Sequence, residues 1–179
     1  HYEAKMMIRA IIESISRDGN IAINICLRPD GSIEEPAVKM LEKLGQWMKI
    51  NGEAVYGSKA WKVPAEGEIM QDGRLKKLPG GGLHKRHADF PFNAQDIRFT
   101  VGKNGDVYAF CMASPEGGQT VHIHSMGKNA EYMPKVKNVS LLGYEGDLQW
   151  TQTDEALEIQ CPETLPFTTS IVFRVTEDN

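Results

Sequence analysis

Two periods of apolar spacing divide the chain. From Glu3 to Arg17, the residues Ala4, Ile8, Ile11, Ile12 and Ile15 recur every three or four positions, which predicts a helix with one apolar stripe. Asp18-Gly19-Asn20 closes it, since Gly and Asn tolerate the left-handed conformation that ends helices. Ile21 to Leu27 is apolar at nearly every position, the composition of a strand buried on both faces, and such strands belong to parallel sheets covered by helices. Arg28-Pro29-Asp30-Gly31 is a turn. Ser32-x-x-Glu35 reads as a capping box opening a second helix, with Pro36 tolerated in the first turn. Ala37, Val38, Leu41, Leu44 and Met48 form its core stripe, Trp47 lies at the stripe's edge, and Asn51-Gly52 ends it. The helix–strand–helix unit has no partner, because no second strand of this kind follows.

From about Asp96 the period falls to two. Asp96–Gly102 and Asp106–Ala113 flank Lys103-Asn104-Gly105, a hairpin signal. Gln119–Ser125, Lys135–Leu142, Asp147–Gln152, Ala156–Cys161 and Thr169–Val175 follow, separated by Gly, Pro and Asn clusters, and argue for an antiparallel β-sandwich. Pro64 to Gln95, with Pro79-Gly80-Gly81-Gly82, reads as a long connection after one strand near Trp61–Val63. The fold class is thus mainly β: an antiparallel sandwich over 61–179, preceded by the helix–strand–helix piece over 1–60. A sandwich of this kind, trimmed to about Trp61, is expected to remain soluble with its strands intact.

Composition excludes more than it identifies. The chain has 179 residues with 41% apolar and 25% charged positions, an ordinary balance for a packed core. Its net charge of −4 generates no field that nucleic acid or an anionic membrane would select, and no apolar run has transmembrane length. Cys26, Cys111 and Cys161 contain no CxxC pair and read as small hydrophobes rather than a disulfide framework or zinc site. The start at His1, without initiator methionine or signal pattern, reads as a processed product, a made piece or a fragment.

Several segments carry a family resemblance. Asp18-Gly19-Asn20-Ile21-Ala22-Ile23-Asn24, Arg28-Pro29-Asp30-Gly31-Ser32-Ile33, the run from Leu44 through Gly45-Gln46-Trp47 and Asn51-Gly52-Glu53-Ala54 to Gly57, Asp96–Thr100, Leu141–Trp150 and Leu157–Pro162 resemble the end of an α-L-fucosidase of glycoside hydrolase family twenty-nine. The resemblance covers most of the chain apart from roughly Lys62 to Gln95. It implies that residues 1–60 are the last helix–strand–helix segment of a catalytic (β/α) barrel, and 61–179 the C-terminal sandwich. One departure stands out: the family usually carries Asn-x-Gly-Pro at the end of that barrel strand, whereas Ile25, Cys26 and Leu27 follow Asn24 here.

The resemblance also implies retaining hydrolysis of terminal α-L-fucose by an Asp nucleophile and a Glu or other acid, two carboxyls about 5 Å apart. In the family both lie ahead of the part this chain covers. No catalytic residue is therefore carried over, the chain alone is expected to be inactive, and no cofactor or metal is expected. The implied partners are the N-terminal catalytic barrel of the same protein and a fucosylated glycan as substrate of the whole enzyme. A homo-oligomer is compatible, and a secreted, periplasmic or lysosomal location fits the family better than the cytoplasm. The alternative is a stand-alone β-sandwich module for carbohydrate binding or protein interaction.

Candidate site residues are few. Asn24, Arg28 and Asp30 follow the barrel-type strand, whose C-terminal end would face an active site, so each is a candidate for the sugar-binding rim. Against this, Asp30 is suited to shape its own turn, Arg28 to be solvated, and Asn24 to a structural hydrogen bond. His122-x-His124 places two imidazoles on the solvent side of one strand without a third metal ligand. His84-Lys85-Arg86-His87 is a solvated basic knot in the connection. Trp150 with Leu148, Phe99 with Ile97 and Val101, and Tyr108 with Phe110 are expected to point into the core, leaving Tyr132 and Tyr144 free in turns.

Overall fold

A computed structural model describes residues 3–67, 90–133 and 135–178. Helices α1 (Ala4–Ile15) and α2 (Glu35–Val55) precede eight strands: β1 (Lys59–Glu66), β2 (Ile97–Val101), β3 (Val107–Cys111), β4 (Thr120–Ile123), β5 (Val136–Leu141), β6 (Gln149–Gln152), β7 (Leu157–Gln160) and β8 (Val172–Glu177). Two antiparallel sheets result, a five-stranded one in the order β1-β2-β3-β8-β5 and a three-stranded one in the order β4-β7-β6. The Asn104-Gly105 turn joins β2 to β3 as its sequence predicts, with Gly105 at φ 86°.

Strand alternation builds the inter-sheet core. Ile97 and Phe99 of β2, Ala109 and Cys111 of β3, and Phe173 and Val175 of β8 meet Val121, Ile123, Leu157 and Ile159 of the smaller sheet, all nearly or fully buried. Trp61 closes one side against Phe99, with ring centroids 5.1 Å apart. The opposite positions of the large sheet are buried as well. Arg98, Thr100, Tyr108, Phe110 and Val172 lie beneath α1 and α2, where Ile8, Ile12, Leu44 and Trp47 form a second core with them. The architecture is therefore three layers: helices, five-stranded sheet, three-stranded sheet.

Polar contacts fix the helix layer. Trp47 Nε1 donates to the Ser170 carbonyl at 3.0 Å, Thr100 Oγ1 to the Ala54 carbonyl at 2.9 Å, and Arg9 Nε to the Met112 carbonyl at 2.9 Å. Arg98 Nε donates to Glu13 Oε1 at 2.7 Å in a pair with almost no solvent exposure. Tyr108 and Phe110 thus point into a core, but into the one beneath the helices rather than the one between the sheets. A sandwich beginning at Trp61 would lose the cover that α1 and α2 give the outer face of its largest sheet.

Five local expectations are corrected. Ile21–Leu27 joins no strand ladder, with Ile21, Ile23 and Ile25 partly buried and Ala22, Cys26 and Leu27 exposed; a buried parallel strand needs neighbours on both sides, and the described residues offer only an isolated antiparallel bridge between Leu27 and Ile33. Ser32 does not cap α2, because Asp30 takes both its amide and its hydroxyl, and the helix starts at Glu35 with Pro36 in its first turn. Helix α2 runs past Asn51-Gly52 to Val55: Asn51 is buried and turns its amide back to the Trp47 carbonyl at 3.0 Å, a bond made inside the helix. Trp47, placed at the edge of the stripe by periodicity, is fully buried at its centre, while Val38 is exposed. The single strand expected near Trp61–Val63 extends over all of β1. No helix among the described residues is long and apolar enough to cross a membrane.

Candidate functional site

The turn after the Ile21–Leu27 segment is built by its own residues. Gly31 takes φ 82° and donates its amide to the Arg28 carbonyl at 2.9 Å, and Arg28 N donates to the Ser32 carbonyl at 2.8 Å. Asp30 Oδ1 accepts from Ser32 Oγ at 2.7 Å and from Ser32 N at 2.9 Å. These bonds, the hydroxyl's first, hold the Asp30 carboxyl below its usual range although it is exposed. Asp30 therefore acts within the turn. Asn24 and Arg28 are exposed and line an open hollow of about 440 Å³ against Ala37 and Met40 of α2. The hollow's walls are mainly apolar, including Ile25, Leu27 and Cys26, and hold one carboxylate, Glu34. A nucleophile–acid pair of carboxyls is not assembled there. Cys26, which the strand pattern placed in a core, is exposed, whereas Cys111 and Cys161 are buried. Burial pushes the Cys161 thiol up to about 11 and Cys111 higher still.

The two histidines do not share a strand. Strand β4 ends at Ile123, so His122 lies on its solvent side while His124 begins a 3-10 turn to Met126. That turn receives the Glu66 carboxylate, which accepts from His124 N and Ser125 N at 2.8 Å each and ties β1 to the small sheet. No group of three metal-ligating side chains gathers among the described residues. The basic knot His84-Lys85-Arg86-His87 and most of the 64–95 connection lie outside the described residues. Of the two tyrosines expected to be free, Tyr144 is 37% exposed, but Tyr132 is packed against the inter-sheet core beneath Lys62. Trp150 turns inward, as its alternation with Gln149 and Thr151 requires.

That alternation leaves a polar face outside the three-stranded sheet, which the motif reading passed over. Cross-strand register aligns Thr120 with Gln160 and Gln149 in one row, and His122 with Glu158 and Thr151 in the next. Two adjoining hollows, of about 440 and about 210 Å³, share Leu148, Gln149 and Gln160, and extend from Thr151 at one end to Tyr144 at the other. The signal was in the period-two pattern of Gln149-x-Thr151 and Glu158-x-Gln160, read earlier only for its inward half.

Comparison with known proteins assigns the lineage. The α-L-fucosidase family model matches residues 1–53, and the model of the α-L-fucosidase C-terminal domain matches 91–176. The tissue α-L-fucosidase of Mus musculus is 30% identical over 171 residues, covering 93% of this chain and 30% of the mouse protein; that of Homo sapiens is 27% identical over 165 residues, covering 92% and 28%. Among solved structures, α-L-fucosidase isoenzyme 1 from Paenibacillus thiaminolyticus superposes with a TM-score of 0.68 at 20% identity, over all of this chain and 35% of that one. A Thermotoga maritima α-fucosidase, in complex with a mechanism-based inhibitor, gives 0.70 at 21% identity over 98% of this chain and 34% of that one. The chain thus spans about a third of the length of the proteins it matches. The two family matches leave out residues 54–90, which overlap most of the Lys62–Gln95 stretch outside the sequence resemblance. The chain belongs to the α-L-fucosidase family and carries its C-terminal region.

Proposed function

We propose that these residues are the C-terminal portion of an enzyme that hydrolyses terminal α-L-fucose from glycans by a retaining mechanism, and that their role in it is structural. On this reading 1–60 is the last helix–strand–helix segment of the catalytic barrel and 61–179 the C-terminal sandwich. The nucleophile and acid belong to the barrel, the partner on which activity depends, and the substrate is a fucosylated glycan.

The observation that carries the reading is the state of Ile21–Leu27. It is apolar and without a ladder, yet it lies beside α2 in a chain whose described strands are all paired. Full burial of Ile21, Ile23 and Ile25 is worth roughly 1.5–3 kcal/mol each. Ile21 and Ile23 already gain part of it against the helix-side core, and neighbouring barrel strands would supply the rest and satisfy the backbone. Helices α1 and α2 would then join barrel to sandwich, each with one side on the large sheet. Asn24 and Arg28, on the hollow near the end of this segment, are the residues available for contact at the barrel's rim, while Asp30 holds the turn.

The test is the intact mass and activity of the native protein, captured from its source with an antibody against this segment. Since the chain covers 30–35% of its relatives, the expected species is about three times the mass of 20.0 kDa and hydrolyses 4-nitrophenyl α-L-fucoside, whereas the isolated 179 residues do not. A native species of 20.0 kDa would overturn the proposal.

A further inference from the structure

We propose that the solvent face of the three-stranded sheet is a binding site for a neutral oligosaccharide, with Gln149, Gln160, Thr120 and Thr151 as hydrogen-bonding floor and Tyr144 as an aromatic platform at one end. The proposal does not rest on the reading of hydrolysis. It occupies the outer layer of the molecule, on the far side of the five-stranded sheet from α1 and α2.

Three observations converge. The first is the hydrogen-bonding inventory. Gln95, Gln119 and Gln152 spend their amides inside the protein: Gln95 bridges β4 through the Thr120 carbonyl and His122 N, Gln119 accepts from Glu116 N, and Gln152 contacts Met126, Met133 and Val136. Gln149 and Gln160, cross-strand partners on the outer face, make no side-chain hydrogen bond to the described protein, nor do Thr120 and Thr151 beside them. Two amides and two hydroxyls on neighbouring strands therefore present donors and acceptors together, the set that matches vicinal hydroxyls, which are themselves both donor and acceptor.

The second is shape. The two hollows share Leu148, Gln149 and Gln160, so they form one groove, and their volumes of about 440 and about 210 Å³ accommodate sugar residues placed end to end. Tyr144 sits at its far end, 37% exposed. The ring lies over Gly146: a Cβ added there would stand 2.5 Å from the Tyr144 hydroxyl, so glycine at 146 leaves room for this placement. An exposed aromatic face at the end of the groove can stack against the C–H face of a pyranose, with only two side-chain torsions to order.

The third is charge. Neither hollow is lined by Lys or Arg, while Asp147, Glu158 and Glu163 stand along it. Sulfated, sialylated or phosphorylated ligands would meet like charge. The amides and hydroxyls between the carboxylates carry no charge that a basic peptide would need along its length. A neutral polyol is the ligand class that fits the whole groove.

The experiment uses the full 179-residue chain on an array of neutral oligosaccharides beside sialylated and sulfated counterparts and a lysine-rich peptide, followed by calorimetric titration of the best neutral ligand. Saturable binding of a neutral oligosaccharide is expected, weakened about tenfold by Tyr144→Ala and by the double change Gln149→Ala/Gln160→Ala, with the melting temperature unchanged because all three side chains are exposed. Absence of neutral binding would overturn the proposal. So would preference for the acidic glycans or the peptide, or neutral binding that both variants leave intact. None of these outcomes bears on hydrolysis by the native species, so the two proposals stand or fall separately.

Discussion

Glu13 is the residue on which the helix layer and the large sheet share a charge. Its carboxylate is 9% exposed, and Arg98, wholly buried, donates to it from the middle of β2, while Arg17 approaches the other oxygen at 3.2 Å. Removing one partner of such a pair strands the other charge and costs about 3–5 kcal/mol, whereas exchanging both for apolar side chains of similar volume is close to neutral. Glu13→Ala is therefore expected to lower urea stability by about that amount, and Glu13→Leu with Arg98→Met to recover most of it. A single-variant loss under 1 kcal/mol would show that water reaches Arg98. The cysteines give a second expectation at this scale. Only Cys26 is exposed, so a native chain should react with one equivalent of a thiol reagent at neutral pH and with all three in denaturant. Cys161 keeps its proton to about pH 11 when folded against an ordinary value of 9.0. The unfolded thiol then ionises first, so stability is fully retained below the lower value and declines as pH rises through the interval. Cys161→Ala should flatten that alkaline slope, measured as the denaturation midpoint at pH 8 and pH 10.5.

At the scale of elements, α1 and α2 are part of the sandwich's packing as much as of anything that precedes it. Trp47 alone, fully buried and bonded to the Ser170 carbonyl, packs with Phe110 at 6.4 Å between ring centroids. A chain beginning at Trp61 would lay Tyr108, Phe110, Met112 and Val172 open to water and leave Arg98 without its carboxylate. Such a truncation is expected to be poorly soluble, to bind a hydrophobic dye and to lose its cooperative thermal transition; a soluble product with a sharp transition would refute the shared core. This is also where sequence reading reached its limit. The strands of the sandwich and the hairpin at Asn104-Gly105 were legible because period-two alternation and turn residues are local signals. Burial of Arg98 and Thr100 was not, since a polar position in an alternating strand ordinarily faces solvent, and only tertiary packing reveals a helix above it. The same holds for Ser32, whose hydroxyl had two local partners on offer and took the nearer Asp30 carboxylate. Asp30 itself was legible as a turn-former, and Asn24 and Arg28 as neighbours. The polar face with Gln149 and Gln160 carried a pattern but no motif, so nothing in the sequence distinguished it from an ordinary solvated face.

For the whole molecule, the decisive feature is an apolar segment outside both sheets. Residues Ile21–Cys26 join no strand, and Leu27 is 62% exposed opposite Ile33. An unpaired backbone flanked by isoleucines is open to pairing with another strand. The isolated 179-residue chain is accordingly expected to self-associate with rising concentration. Leu27→Lys should shift it towards monomer in sedimentation equilibrium while leaving the thermal midpoint within the scatter of surface changes, about 0.5 kcal/mol. In the longer native species proposed above, the same residue would lie against barrel strands. There Leu27→Lys would bury a charge without a partner and lower the thermal midpoint by several degrees. One substitution thus separates two molecular contexts: harmless and anti-associative where the segment is bare, destabilising where it is covered. If the lysine left both species equally stable, the segment would not be a barrel strand, and the role assigned to residues 1–60 would have to be withdrawn.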